Sequence, residues 1–199
     1  MEQKWARAFL WISVIAWGLL VGAKLFDLRV LVGAWSAAPP GSLTLLPYGA
    51  HWPVDTGEFF IPLSASLLLA NLGALIAGWR TPVRYRVWLA LSFAMILGVL
   101  ILTVTEFWPR NAALWRVARG ASNAIHDPDA ILRMVHEWVV LDWVRVVMGT
   151  VGYLASIKAI SVPFPPLAQP VPTSMALKLA SGIAIATILA FVVYFVSKL

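Results

Sequence analysis

Asp142 and Arg145 stand three residues apart inside an apolar stretch, so a helix there sets both on one face. Ionised groups at membrane depth are costly, and they usually sit paired against a bundle interior or a cavity. Such a pair can lock two helices together, or it can set a carboxylate base beside a cation that holds a developing oxyanion. Glu106 and Arg110, four apart where another apolar stretch ends, repeat the arrangement. Glu106 is a second candidate base, although a carboxylate at the rim would occupy the same position. His136 is a third, two residues before the segment that carries Asp142, and a helix would align it with Val139, Val140 and Trp143.

Metal-ligating types recur in two places. His51, Asp55 and Glu58 have a spacing that would put three ligands on one helix face, but Pro53 lies between them. His126, Asp127 and Asp129 form a second group, which a turn followed by a helix cap explains more simply. These are weak metal candidates, and no metal is expected. The chain has no cysteine, which excludes disulfides, thiolate-ligated haem, cysteine-bound iron–sulfur clusters and cysteine nucleophiles. No phosphate loop, dinucleotide glycine fingerprint or nucleophile elbow is present.

The elements that must position these residues are apolar helices. The 199 residues are 61% hydrophobic and only 12% charged, about half the roughly 25% found in soluble domains. The sequence therefore predicts an all-α integral membrane helical bundle, with four core transmembrane helices plus a C-terminal fifth. The first span begins near Ala8 and continues through Lys24 and Asp27 to about Val32; those two charges share a face, where they can pair or snorkel at the membrane edge. The second runs over Phe59–Trp79, the third over Val87–Trp108 and the fourth over Trp138–Ile160, each near the ~20 residues that cross a bilayer. Polar connectors occupy 36–58 and 109–137. The latter is expected to contain short helices at Asn111–Arg119 and Pro128–His136, the second capped by Asp127 with Pro128 in its first turn. Residues 1–160 thus form the membrane domain. A link with five prolines follows over 161–173, and a peripheral fifth span lies within 174–199, over Met175–Val196.

The net charge of +6 does not imply nucleic acid, because no basic run or nucleic-acid module accompanies it. Basic residues flanking spans set topology and meet anionic lipid. The connector from Arg80 to Arg86 holds three arginines and no acid, so it and the N-terminus are expected in the cytoplasm, with the C-terminus outside, in a bacterial inner membrane. This orientation gathers all three histidines and every acid but Glu2 toward the outer face.

Two short motifs carry a resemblance. Pro109-Arg110-Asn111-Ala112-Ala113-Leu114 follows the third span, and the fourth opens with Trp138, followed seven positions on by Arg145. Together they resemble the anthrone-oxygenase-like family of small four-span membrane proteins, over roughly residues 8–160. Asn111, Trp138 and Arg145 fall on its motif positions; Asp142 stands where a neutral polar residue is expected. The resemblance implies a cofactor-independent oxygenase acting on a phenolic or quinone-like aromatic. A base removes an acidic proton, and the resulting carbanion reduces dioxygen inside a dry aromatic pocket. His136, Glu106 or Asp142 would be the base, Arg145 or Asn111 would bind the oxyanion, and Trp108, Trp115, Trp138 and Trp143 would line the pocket. A bound metal or quinone is a lesser expectation.

The rival reading is a non-catalytic accessory or binding subunit of a larger membrane complex, docked through the plain fifth span. Expected partners are membrane lipid with either an apolar aromatic small molecule or another membrane protein, and an oligomer is compatible with both.

Overall fold

The computed structural model describes residues 2–48 and 55–162, and every regular element among them is helical. His51, the link from residue 163 onward and the expected fifth span lie outside the described residues. The helices are α1 (Glu2–Phe26), α2 (Gly57–Ala77), α3 (Val83–Leu102), α4 (Trp108–Ala118) and α5 (Pro128–Ser161). A π-helical stretch, Asp27–Val32, prolongs α1 toward Trp35, and another, Thr103–Phe107, joins α3 to α4 without a break. Four continuous helices result, Lys4–Trp35, Gly57–Ala77, Val83–Ala118 and Pro128–Ser161, each long and apolar enough to cross a membrane. The chain is an all-α integral membrane bundle.

The two short helices expected within the 109–137 connector do form, but each is fused to a span. No glycine or proline interrupts 129–148, so the helix that starts at Pro128 runs straight into the fourth span. Asp127 caps it as expected, its carboxylate accepting from the Asp129 amide at 3.0 Å. At 1.5 Å per residue, the 36 residues of Val83–Ala118 reach about 54 Å, well beyond the ~30 Å hydrocarbon core. The excess forms a cap at that end of the bundle. There Trp35, Leu43, Leu46, Leu114, Trp115, Ile131 and Val135 bury one another beneath the turn Gly41–Leu45.

Within the bundle α1 packs on α2 and α5, and α3 packs on the same two helices, closing a four-sided ring. Small residues allow the close approaches: a Cβ at Gly152 of α5 would run into the Trp17 ring of α1, and one at Gly73 of α2 would lie 2.9 Å from Phe9. The Trp17 indole N–H donates to Ser92 at 2.9 Å, and Ser92 meets Ser156 at 2.8 Å, so α1, α3 and α5 share one buried polar contact. Apolar clusters fill the ring from Ala6, Phe9 and Tyr85 through Trp17, Leu67 and Ile96. Beyond Leu20 that packing gives way to a cavity.

Candidate functional site

Four charges of alternating sign run across the bundle at the cavity. Lys24 Nζ lies 2.6 Å from Asp27 Oδ2 and 3.0 Å from Asp142 Oδ1, and the same Asp142 oxygen accepts from Arg145 Nε at 2.9 Å. Asp142 is fully buried and Asp27 is 2% exposed, while Lys24 and Arg145 keep a little more exposure. The chain Asp27–Lys24–Asp142–Arg145 is electrically neutral as a unit, which lets four charges sit at membrane depth.

Each end has a neutral partner. The Tyr48 hydroxyl reaches both Asp27 oxygens, at 3.2 and 3.4 Å. Burial, reinforced by the negative charges of Asp27 and Asp142, raises the Tyr48 hydroxyl well above the usual tyrosine range, so it remains a phenol. At the other end Arg145 Nη1 donates to Thr103 Oγ1 at 3.3 Å, and Thr103 in turn donates to the Val99 carbonyl at 2.7 Å. The guanidinium carbon also lies 3.2 Å from the centre of the Phe107 ring, a cation–π contact.

Trp138 organises the aromatic wall. Tyr48 stacks on it at 5.6 Å, while Trp35 and Phe107 meet it edge-on at 4.9 and 5.0 Å. Its indole N–H donates to Asn111 Oδ1 at 2.8 Å, which fixes the ring plane and ties α4 to α5. Lys24 Nζ stands 5.2 Å from the Phe60 ring and 5.9 Å from Trp138.

These groups border a cavity of about 700 Å³, within the range of roughly 300–1,000 Å³ typical of small-molecule sites. Its walls are mostly aliphatic and aromatic, from Leu20, Val21, Phe60, Leu68, Val99, Leu100, Phe107 and Trp138. Lys24, Asp27, Tyr48, Asp55, Glu58, Asn111 and Arg145 supply its polar points. Three of the lining helices depart from regular geometry at this level. Asp27 opens one π-helical stretch, Thr103 and Phe107 belong to the other, and Pro62 in α2 cannot donate to the Glu58 carbonyl. Local π-helix commonly marks functional positions, because the extra residue redirects side chains.

The residues singled out from sequence divide accordingly. Asn111, Trp108, Trp138 and Arg145 line the cavity, and Asp142 stands behind Lys24 and Arg145 in its wall. Glu106 is apart: it pairs with Arg110, which also reaches Glu137 at 3.4 Å, on the cap. His136 is exposed, Trp143 points outward at 53% exposure, and Trp115 is buried in the cap. Asp55 and Glu58 border the cavity, with the Asp55 carboxylate accepting from the Gly57 amide at 2.6 Å. His126 is exposed in the connector, and among the described residues no three His, Asp or Glu side chains gather to hold a metal.

Sequence reasoning did not identify Lys24, Asp27, Tyr48, Thr103 or Phe107 as site residues. One signal was available for the first two. α1 and α5 run antiparallel, and both carry an acid–base pair at i, i+3 near the same end of the bundle.

The model of the anthrone oxygenase family matches residues 52–155, a little over half of the chain. No curated protein and no solved structure matches. The matched region spans the cavity's second, third and fourth walls and includes Asn111, Trp138, Asp142 and Arg145. The expectation raised by the Asn111 and Trp138–Arg145 motifs holds, and the chain belongs to the anthrone oxygenase family.

Proposed function

We propose that the protein is a membrane-embedded oxygenase that oxidises the ring methylene of an anthrone-type phenolic polycycle to a carbonyl without a resident cofactor. One observation carries this reading: two cations, Lys24 and Arg145, are held by one oxygen of Asp142 on the wall of an aromatic cavity large enough for a tricyclic ring system. An anthrone's methylene is acidic because the carbanion delocalises onto the keto oxygen and into the fused rings. A carboxylate on the cavity takes one proton, leaving an enolate whose oxygen Lys24 and Arg145 stabilise. The enolate passes an electron to dioxygen, and the resulting pair of radicals combines to form a carbon–oxygen bond. The peroxide then loses the second methylene proton as its O–O bond breaks, giving the carbonyl and water. One dioxygen is consumed per methylene oxidised, one atom entering the quinone and the other leaving as water. The stacked Tyr48 and Trp138 offer a flat face to the rings, and the apolar walls exclude bulk water, which strengthens each electrostatic contact.

Oxygen uptake by the purified protein with 1,8-dihydroxyanthrone, followed together with quinone absorbance, tests the reading. One quinone per dioxygen is expected above the buffer rate, undiminished by a chelator. No uptake above buffer, although the anthrone binds, would refute it. In the same proposal the N-terminus and the Arg80–Arg86 connector face the cytoplasm of a bacterial inner membrane. Reporter fusions at the two ends of α2 would show this by opposite signals.

A further inference from the structure

The oxygenase reading leaves open which carboxylate takes the carbon-bound proton, and the geometry points to Asp27 as that base, with the Tyr48 hydroxyl as its positioning partner. This assignment rests on the oxygenase reading, and its residues Lys24, Asp27 and Tyr48 all precede the region that the family model matches.

Asp27 lines the cavity, whereas Asp142 does not and is fully buried behind the two cations it holds. Asp142 therefore positions Lys24 and Arg145, and a proton reaching it would release both. Among the described residues Asp27 has a single cationic partner, Lys24, and Lys24 stays anchored to Asp142 when Asp27 becomes neutral. Charge is conserved locally by this choice. Before reaction Asp27, Lys24, Asp142 and Arg145 sum to zero; a proton moved from carbon to Asp27 leaves them at +1 beside an enolate of −1. The lysine freed from Asp27 then faces the anion it must stabilise.

The surroundings favour the same carboxylate. Asp27 begins a π-helical stretch and lines the cavity beside Lys24, beyond the aliphatic Leu20 and Val21 of the same helix. The Tyr48 hydroxyl, within reach of both its oxygens, remains protonated and fixes the carboxylate plane. Of the other acids on the cavity, Asp55 is engaged by the Gly57 amide, and Glu58 forms no ion pair with Lys24 or Arg145 among the described residues. In the reaction, the first C–H bond breaks toward Asp27 and its electron pair stays on the ring system. Asp27 returns that proton to the peroxide, takes the second one from the same carbon, and delivers it to the departing oxygen as water.

Anaerobic exchange isolates this step, because the methylene of bound 1,8-dihydroxyanthrone can trade protons with D2O without being oxidised. Wild type, Asp27→Asn, Asp27→Glu and Glu58→Gln, all in detergent, would be compared by mass spectrometry for exchange, by fluorescence for anthrone binding, and in air for oxygen uptake. Wild type is expected to exchange faster than buffer. Asp27→Asn should lose about a hundredfold or more in both exchange and uptake while its Kd changes only a few-fold. Asp27→Glu, which keeps a carboxylate, should recover part of both and shows that the position tolerates change. Full exchange in Asp27→Asn, or its loss in Glu58→Gln alone, would overturn the assignment while leaving the oxygenase reading intact. Binding by wild type with neither exchange nor uptake would overturn both.

Discussion

Lys24 of α1 and Asp142 of α5 meet at 3.0 Å, and the contact joins the two halves of the site. Without it, Asp27 and Tyr48 would form one isolated pair and Arg145 with Thr103 and Phe107 another. With it, a continuous line of groups crosses the bundle from the connector after α1 to the π-helical end of α3. The shared oxygen is Oδ1; Asp142 Oδ2 is buried and makes no hydrogen bond among the described residues. Both cations are thus drawn toward one point at the edge of the cavity.

Removing that point should be the most damaging single change to the fold. Asp142→Ala leaves Lys24 and Arg145 close together without their common anion, and breaking buried pairs in this way costs about 3–5 kcal/mol. The expected outcome is a large fall in melting temperature in detergent. A double change, Lys24→Met with Asp27→Leu, removes one charge of each sign and leaves the Asp142–Arg145 pair whole. It should melt closer to wild type than Asp142→Ala does. A double variant as unstable as Asp142→Ala would show that the line of charges is not what holds the helices.

Arg145 should matter to chemistry more than to folding. Its fork binds Asp142 and Thr103 while its plane lies against Phe107, an arrangement an ammonium cannot reproduce. Arg145→Lys is expected to retain the charge and most of the stability yet lose at least tenfold in kcat/KM. Arg145→Leu should lose a hundredfold or more, the usual consequence of removing an oxyanion contact. Steady-state oxygen uptake measures both. Equal activity of Arg145→Leu and wild type would remove Arg145 from the site.

Asn111 holds the Trp138 ring in the cavity wall through one hydrogen bond. Asn111→Leu strands the buried indole N–H, at a cost of about 1–3 kcal/mol, and frees the ring to tilt away from Tyr48 and Phe107. Melting temperature should fall accordingly, and anthrone affinity with it. Asn111→Asp, which keeps an acceptor, should keep the ring in place. If Asn111→Leu alters neither stability nor affinity, the hydrogen bond to Trp138 is incidental.

The bundle was legible because its cause is local. Apolar stretches of about 20 residues separated by proline, glycine and charge read as spans, whereas which helix packs on which is set by the tertiary fold. Part of the candidate site was legible for the same reason: Asp142 and Arg145 are conspicuous in an apolar helix, and Asn111 and Trp138 form a motif. Lys24 and Asp27 carry the same spacing, yet they sit close to a polar connector, where charges are ordinary. Only the antiparallel packing of α1 on α5 brings them level with Asp142. Tyr48 belongs to a proline- and glycine-rich connector, and no periodicity ties such a residue to a helix face. Glu106 and His136 stand out by type and spacing, but the fold pairs Glu106 with Arg110 and leaves His136 exposed, and neither is among the residues that line the cavity.

The Tyr48 hydroxyl makes the last prediction, because its effect on stability depends on pH with a fixed sign. Its value in the folded protein is raised above the ~10 of an unfolded chain, chiefly by burial and then by Asp27 and Asp142. The folded state therefore holds the phenolic proton where the unfolded state gives it up. The associated stability is fully present below about pH 10 and is lost as pH rises through the higher folded value. Tyr48→Phe lacks both the titration and the hydrogen bond to Asp27. It should melt below wild type at pH 8, by the equivalent of about 1 kcal/mol. As pH rises beyond about 10, wild type should lose stability faster, and the two melting curves should converge. Parallel curves throughout would mean that the Tyr48 hydroxyl is not held near Asp27, and the base assigned above would lose its positioning partner.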